Sequence, residues 1–180
     1  MRLGLWMVRT VVTEPRADAG RGQGGRLEEL YRAHAPEALR LAYLLTGDRV
    51  LAQDLTQDAF VKLLGHFQDL RNRDAFWWYL RRTIVNLSRS YFRRRQVEHG
   101  YLGRLRPPEA VAAPDVGDRE RIRRALLKLR PEQRAAVVLR YYEDMTEADT
   151  AEILGRPLGT VKSMVSRGID TLREELTEDA

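Results

Sequence analysis

The sequence predicts an all-α protein of two helical domains joined by a flexible linker. Three observations carry this. Apolar residues recur at three- and four-residue spacing through most of the chain, and no stretch alternates as a strand would. That periodicity lapses between Gln96 and Gly117, where Gly100, Gly103, Pro107, Pro108, Pro114 and Gly117 give the composition of a linker. Helical spacing then resumes with caps and breaks of its own. No internal repeat is visible.

The N-terminal domain is expected over residues 26–95. Its first helix spans Arg26 to Thr46, with Leu27, Leu30, Ala38, Leu41 and Leu45 as a stripe; Pro36 is expected to kink or divide it. Gly47-Asp48 ends it. The second helix, Val50 to Phe67, places Leu51, Leu55, Ala59, Leu63 and Phe67 at i+4 steps. Its other face presents Asp54, Gln57, Asp58, Val61 and Lys62. After a loop from Gln68 to Asp74 the third helix runs from Ala75 to about Arg95, with Phe76, Leu80, Ile84, Leu87 and Tyr91 inward. Its outer side mixes Trp77, Trp78 and Tyr79 with Arg81, Arg82, Asn86, Arg89 and Arg93 to Arg95. Cations hold phosphates, and aromatic faces stack unpaired bases at about 1–3 kcal/mol each. A lone tryptophan is usually a packing residue; two, with a tyrosine and an arginine run, point to single-stranded nucleic acid.

The C-terminal domain is expected over residues 118–176 as four helices. Ile122, Leu126 and Leu129 mark the first, and Pro131-Glu132 starts the second, with Ala135, Val138, Leu139 and Tyr142 buried. Thr146 caps the third, with Asp149 reaching back as in a capping box, and Gly155 and Pro157 end it. Val161, Val165, Ile169, Leu172 and Leu176 form the stripe of the fourth. Its outer face carries Thr160, Lys162, Ser163, Met164, Ser166 and Arg167. Short helix, glycine turn and longer helix with a small, polar, cationic face is the helix-turn-helix plan, whose second helix enters a major groove. An αα-hairpin in a bundle has the same periodicity, so this pair is not decisive alone.

Composition narrows the classes. A net charge of +5 over 180 residues permits a polyanionic partner. Cysteine is absent, which excludes disulfides, thiolate metal sites and cysteine catalysis. His34, His66 and His99 are scattered and form no ligand set. No cofactor and no metal are expected, and no run is long enough to span a bilayer. Residues 1–25 are read as a disordered or mis-started extension, and 177–180 as a tail.

Four stretches in this order carry a resemblance: LYRAHAPEALRLAYLLTGD, QDLTQDAFVKLL, WWYLRRTIVNLSRSYFRRR, and LRPEQRAAVVLRYYEDMTEADTAEILGRPLGTVKSMVSRGIDTLREEL. From about Leu27 to Leu176 the chain resembles the extracytoplasmic-function (ECF) group of bacterial sigma factors. The resemblance implies a region 2-like domain, a linker and a region 4-like domain. Asp54, Gln57, Asp58, Val61 and Lys62 match the surface that docks on the polymerase β′ subunit. The loop Leu70 to Phe76, with Arg71 and Asn72, resembles the loop that captures a flipped base of the minus-ten element. Tyr79, Arg82, Val85, Asn86 and Arg89, beside Trp77 and Trp78, match positions that hold and melt that element. Thr160, Lys162, Ser163, Met164 and Arg167 fall on the minus-thirty-five recognition helix. Met164 stands where many members have arginine, and Thr150 where they have isoleucine.

The implied function is promoter specificity and assistance to DNA melting, without enzymatic activity. The implied partners are core RNA polymerase (β′ and β subunits), promoter DNA and, as an option, an anti-sigma factor, with no membrane insertion and a cytoplasmic location. The alternative is a two-domain helix-turn-helix repressor with an N-terminal effector or dimerisation domain, which leaves the tryptophan–arginine helix unexplained. A helical enzyme would need convergent acids, a nucleophile–base set or a phosphate-binding glycine loop, and none is evident in the sequence.

Overall fold

The computed structural model describes residues 20–64, 73–102 and 117–178. The expected extension up to residue 19, the loop with Arg71 and Asn72, and residues 103–116 of the expected linker lie outside the described residues.

The N-terminal unit has three helices: α1 (Gly20–Thr46), α2 (Arg49–Leu64) and α3 (Arg73–Leu102). Helix α1 stays continuous through Pro36, which is exposed, while buried Leu30 and Ala38 anchor the chain on either side. The lost N–H bond therefore costs α1 one rung without ending it. Gly47 adopts a left-handed φ of 72° and turns the chain out of α1. Asp48 then caps α2, its carboxylate accepting from the amides of Val50 and Leu51 at 2.9 and 3.1 Å. Helix α3 runs past the expected end at Arg95, so the first residues read as linker are helical. Phe60, Phe76, Leu80 and Ile84 fill the centre where α1, α2 and α3 pack on one another.

The C-terminal unit holds α4 (Asp118–Lys128), α5 (Pro131–Val137), α6 (Glu147–Leu154) and α7 (Leu158–Glu178). A wide π-turn, Val138–Tyr142, closes α5. Each such turn holds an extra residue and rotates the chain beyond it. Tyr142, expected in the core, is thereby 48% exposed, and Met145 is buried beyond it. Ile122, also expected inside, is exposed, because Ala125 and Leu126 form the inner row of α4. Gly155 ends α6 in the left-handed region, φ 60° and ψ 42°. Thr146 accepts the Asp149 amide at 3.1 Å, but its hydroxyl donates to the Asp149 carboxylate at 2.5 Å, so only half of the expected box forms. Helix α7 lies on α5 so closely that a Cβ at Gly168 would sit 2.6 Å from Val137 Cγ2.

The two units touch. Helix α3 packs on α5 and α6, and α1 on α4 and α5, so their buried residues form one continuous cluster.

Candidate nucleic-acid interface

Three exposed faces carry the residues that the sequence singles out. On α7, buried Val161 and Val165 turn the opposite side outward. Lys162, Ser163, Ser166 and Arg167 line one shallow open face there. Thr160 and Met164 are half-buried, and Met164 packs against the core from the edge of that face. Met164 thus lies between the core and the exposed face of α7. Arg167 folds back along the helix, its Nε donating to the Ser163 carbonyl at 3.1 Å, and Ser163 Oγ donates to the Gly159 carbonyl at 3.0 Å. Lys162 lies 3.5 Å from Glu147 at the start of α6.

On α3 the expected melting residues divide. Tyr79, Arg82 and Asn86 are exposed on one side. Trp78 is half-buried, meets Tyr79 edge-on at 5.1 Å between ring centres, and carries the Arg82 guanidinium 5.3 Å over its ring. Trp77 is packed differently: His34 stacks on it at 5.4 Å and 9°, and Arg81 lies 4.9 Å over it. Val85 is fully buried, so its side chain supports the helix from behind and is not at the surface expected of it. Arg89 is half-buried and turned to the other domain, donating to the Leu154 carbonyl at 2.7 Å and to Glu132 at 3.1 Å. Arg71 and Asn72 lie outside the described residues.

On α2, Asp54, Gln57, Asp58, Val61 and Lys62 are all exposed, because Ala52, Leu55, Ala59 and Leu63 take the inner row. Val61 is 59% exposed, an apolar side chain in a polar surround.

Carboxylates pair with cations near these faces. Glu132, in the first turn of α5, receives Arg89 and also Arg156, the latter at 2.6 Å. Burial works against its charge, but the hydrogen bonds and charges of Arg156 and Arg89 outweigh it and hold the carboxyl below its ordinary value. Arg156, beside the turn into α7, was not singled out in the sequence; its place one residue after the capping glycine was the available signal. Among the described residues no cluster of His, Cys, Asp and Glu could hold a metal ion, and no helix is long and apolar enough to cross a membrane.

Comparison with known proteins bears on the same two units. Residues 30–98 match the family model "Sigma-70 region 2" and residues 119–172 match "Sigma-70, region 4". The chain is 36% identical over 156 residues to the RNA polymerase sigma-E factor of Streptomyces coelicolor, covering 86% of this chain and 88% of that one. It is 35% identical to the ECF RNA polymerase sigma factor SigE of Mycolicibacterium smegmatis, covering 84% and 62%. Among solved structures it is similar to the sigma factor RpoE of Bartonella quintana, determined in complex with the anti-sigma factor NepR. That likeness has a TM-score of 0.66 at 26% identity and covers 86% of this chain and 99% of the other.

Proposed function

This chain belongs to the ECF-type RNA polymerase sigma factors, with regions 2 and 4, and on that basis we propose how its surfaces divide the work. As a member of this non-enzymatic family it binds core RNA polymerase and directs it to promoters. The outer face of α2 docks on the β′ subunit, where Asp54, Asp58 and Lys62 offer charge around Val61. The outer face of α7 reads the minus-thirty-five element: Lys162 and Arg167 approach the phosphates and base edges, and Ser163 lets the helix come close. Tyr79, Arg82 and Asn86 on α3, with Trp78 behind them, hold the opened minus-ten strand. The loop with Arg71 and Asn72 takes the flipped base. Arg89 joins them once it leaves Glu132. Two domains on one chain turn two weak sites into one strong one. Binding polymerase and chromosomal promoters places the chain in the cytoplasm. By likeness to the RpoE–NepR complex, an anti-sigma factor is a further partner.

The observation that carries this division is the presence on one chain of two different cationic faces. One, on α7, is small and polar; the other, on α3, is aromatic. The first suits a duplex groove and the second unpaired bases. Run-off transcription with core polymerase and a library of promoter fragments tests it. Discrete start sites that vanish without the chain are expected. Shift of duplex DNA by the chain alone, with no effect on core polymerase, overturns it.

A further inference from the structure

A cation on a recognition helix has two targets. Phosphate attracts it at any sequence, whereas a base edge rewards it only at the right one. Lysine is prone to the first, because its ammonium is a point charge on a flexible four-carbon stem. Whatever restrains that stem therefore bears on sequence reading. The two cations on the shallow face of α7 are restrained differently. Arg167 lies back along its own helix, its Nε donating to the neutral Ser163 carbonyl at 3.1 Å. Lys162 meets a carboxylate from another helix: Glu147 Oε2 stands 3.5 Å from its Nζ.

Glu147 is the first residue of α6, directly after the Thr146 cap. The open N–H groups of a first turn favour a carboxylate there. Helix α6 packs on α7, so the acid is delivered to the second turn of the recognition helix. The pair is not needed to hold the two helices together. Ile153 and Leu154 from α6 and Val161 and Val165 from α7 are all buried in the common core. The pair itself is open to water, with the Lys162 side chain 57% and the Glu147 side chain 40% exposed. An exposed pair of this kind adds little to folding. It is still enough to bias where a flexible lysine points, by about two- to fivefold.

We propose that Glu147 is a positioning residue for promoter reading: its carboxylate keeps the Lys162 ammonium at the exposed face of α7 and off the phosphates, so that Lys162 adds affinity only where a base offers acceptors. The base that suits it is guanine, whose O6 and N7 both accept in the major groove. On any other sequence Lys162 stays with Glu147 and neutralises no phosphate. Non-specific grip is thereby lowered more than specific grip, and the ratio between them rises. The inference rests on the minus-thirty-five role given to α7.

The test uses holoenzyme assembled from the full chain and core polymerase. Closed complexes are titrated on two duplexes: a promoter fragment found by run-off transcription, and the same fragment with its minus-thirty-five element scrambled. Glu147→Gln keeps the side-chain shape and removes the charge. It should bind the scrambled duplex about two- to fivefold tighter, with a salt slope steeper by about one. It should gain less on the promoter fragment, so the ratio between the two falls. In a Lys162→Met background the same substitution should leave the slope in place, since no ammonium is released. Unchanged affinity and slope on the scrambled duplex overturn the positioning role. So does an equal gain on both duplexes, or a slope that shifts as much without Lys162 as with it, which would make Glu147 a plain repulsive charge. A lowered thermal midpoint with no change in slope would make the pair a structural brace and overturns it too. If neither Lys162→Met nor Arg167→Ala weakens binding to the promoter fragment, the minus-thirty-five role of α7 is what fails.

Discussion

Thr150 has no exposure, yet it is polar. Its hydroxyl donates to the Thr146 carbonyl at 2.8 Å, one turn back on its own helix, so the polar atom is satisfied without a partner elsewhere. Thr150→Val keeps the shape, and the Thr146 carbonyl still accepts the residue 150 amide, at 2.9 Å in the present chain. Its effect on unfolding free energy in urea should stay within about 1 kcal/mol. Arg167 is exposed, and its Nε donates to the Ser163 carbonyl of its own helix. Arg167→Ala should cost about 1–3 kcal/mol in promoter affinity if it grips a base edge in bidentate fashion. If it grips phosphate, affinity should fall evenly across sequences and the salt slope by about one. A holoenzyme titration that finds neither would leave the residue as surface. Asn86 is exposed mid-helix, where asparagine helps neither propensity nor packing. Asn86→Ala should leave closed-complex formation intact and slow strand opening, seen as late permanganate reactivity of minus-ten thymines. A pre-melted bubble template should rescue it; a wild-type opening rate on duplex promoter would refute the melting role.

Helices α2 and α7 are each defined by the packing behind them. Helix α2 buries Ala52, Leu55, Ala59 and Leu63, so Asp58→Arg alters the docking face without touching the core. Helicity should be unchanged and affinity for core polymerase clearly weaker; co-purification at wild-type affinity would reject that face. Helix α7 is placed by Gly168, where a Cβ would meet Val137 at 2.6 Å. Gly168→Ile must push α7 off α5 and should destabilise the chain by about 1–3 kcal/mol, read as a lower thermal midpoint. It should also weaken minus-thirty-five binding, since the recognition face moves with its helix.

Across the molecule, Glu132 gives a pH signature. Arg89 and Arg156 face it, one from each domain, and hold its folded pKa below the ordinary 4.5. A carboxylate depressed on folding contributes stability that is present above about pH 4.5 and lost as pH falls through the lower folded value. Glu143 has the opposite sign. Burial is its largest influence and raises it despite Arg81; Glu37 adds to the rise and Arg40 opposes it, so its contribution grows as pH falls. Glu132→Gln should therefore flatten the acid limb of the thermal midpoint below about pH 4.5. An acid limb identical to wild type would show that this carboxylate does not link the domains.

Local chemistry was legible in the order of residues. The helices, the Gly155 turn, the Thr146 cap and the outward face of α7 come from spacing and from residues with restricted backbones, and those interactions span a few residues. The aromatic and cationic mixture of α3 and the two-domain plan could be read for the same reason. Contacts at long separation were settled by the folded chain alone. Arg134 is not marked by any local pattern, yet it is buried on a carbonyl 89 residues away. Tyr142 reads as core, and a single wide turn moves it outside. Val85 reads as a reader of DNA and is a packing residue. Arg89 reads as a phosphate ligand and is met by Glu132, 43 residues on. Periodicity reports which side of a helix is apolar; it does not report which other helix end, with carbonyls unsatisfied, will be brought against the polar side.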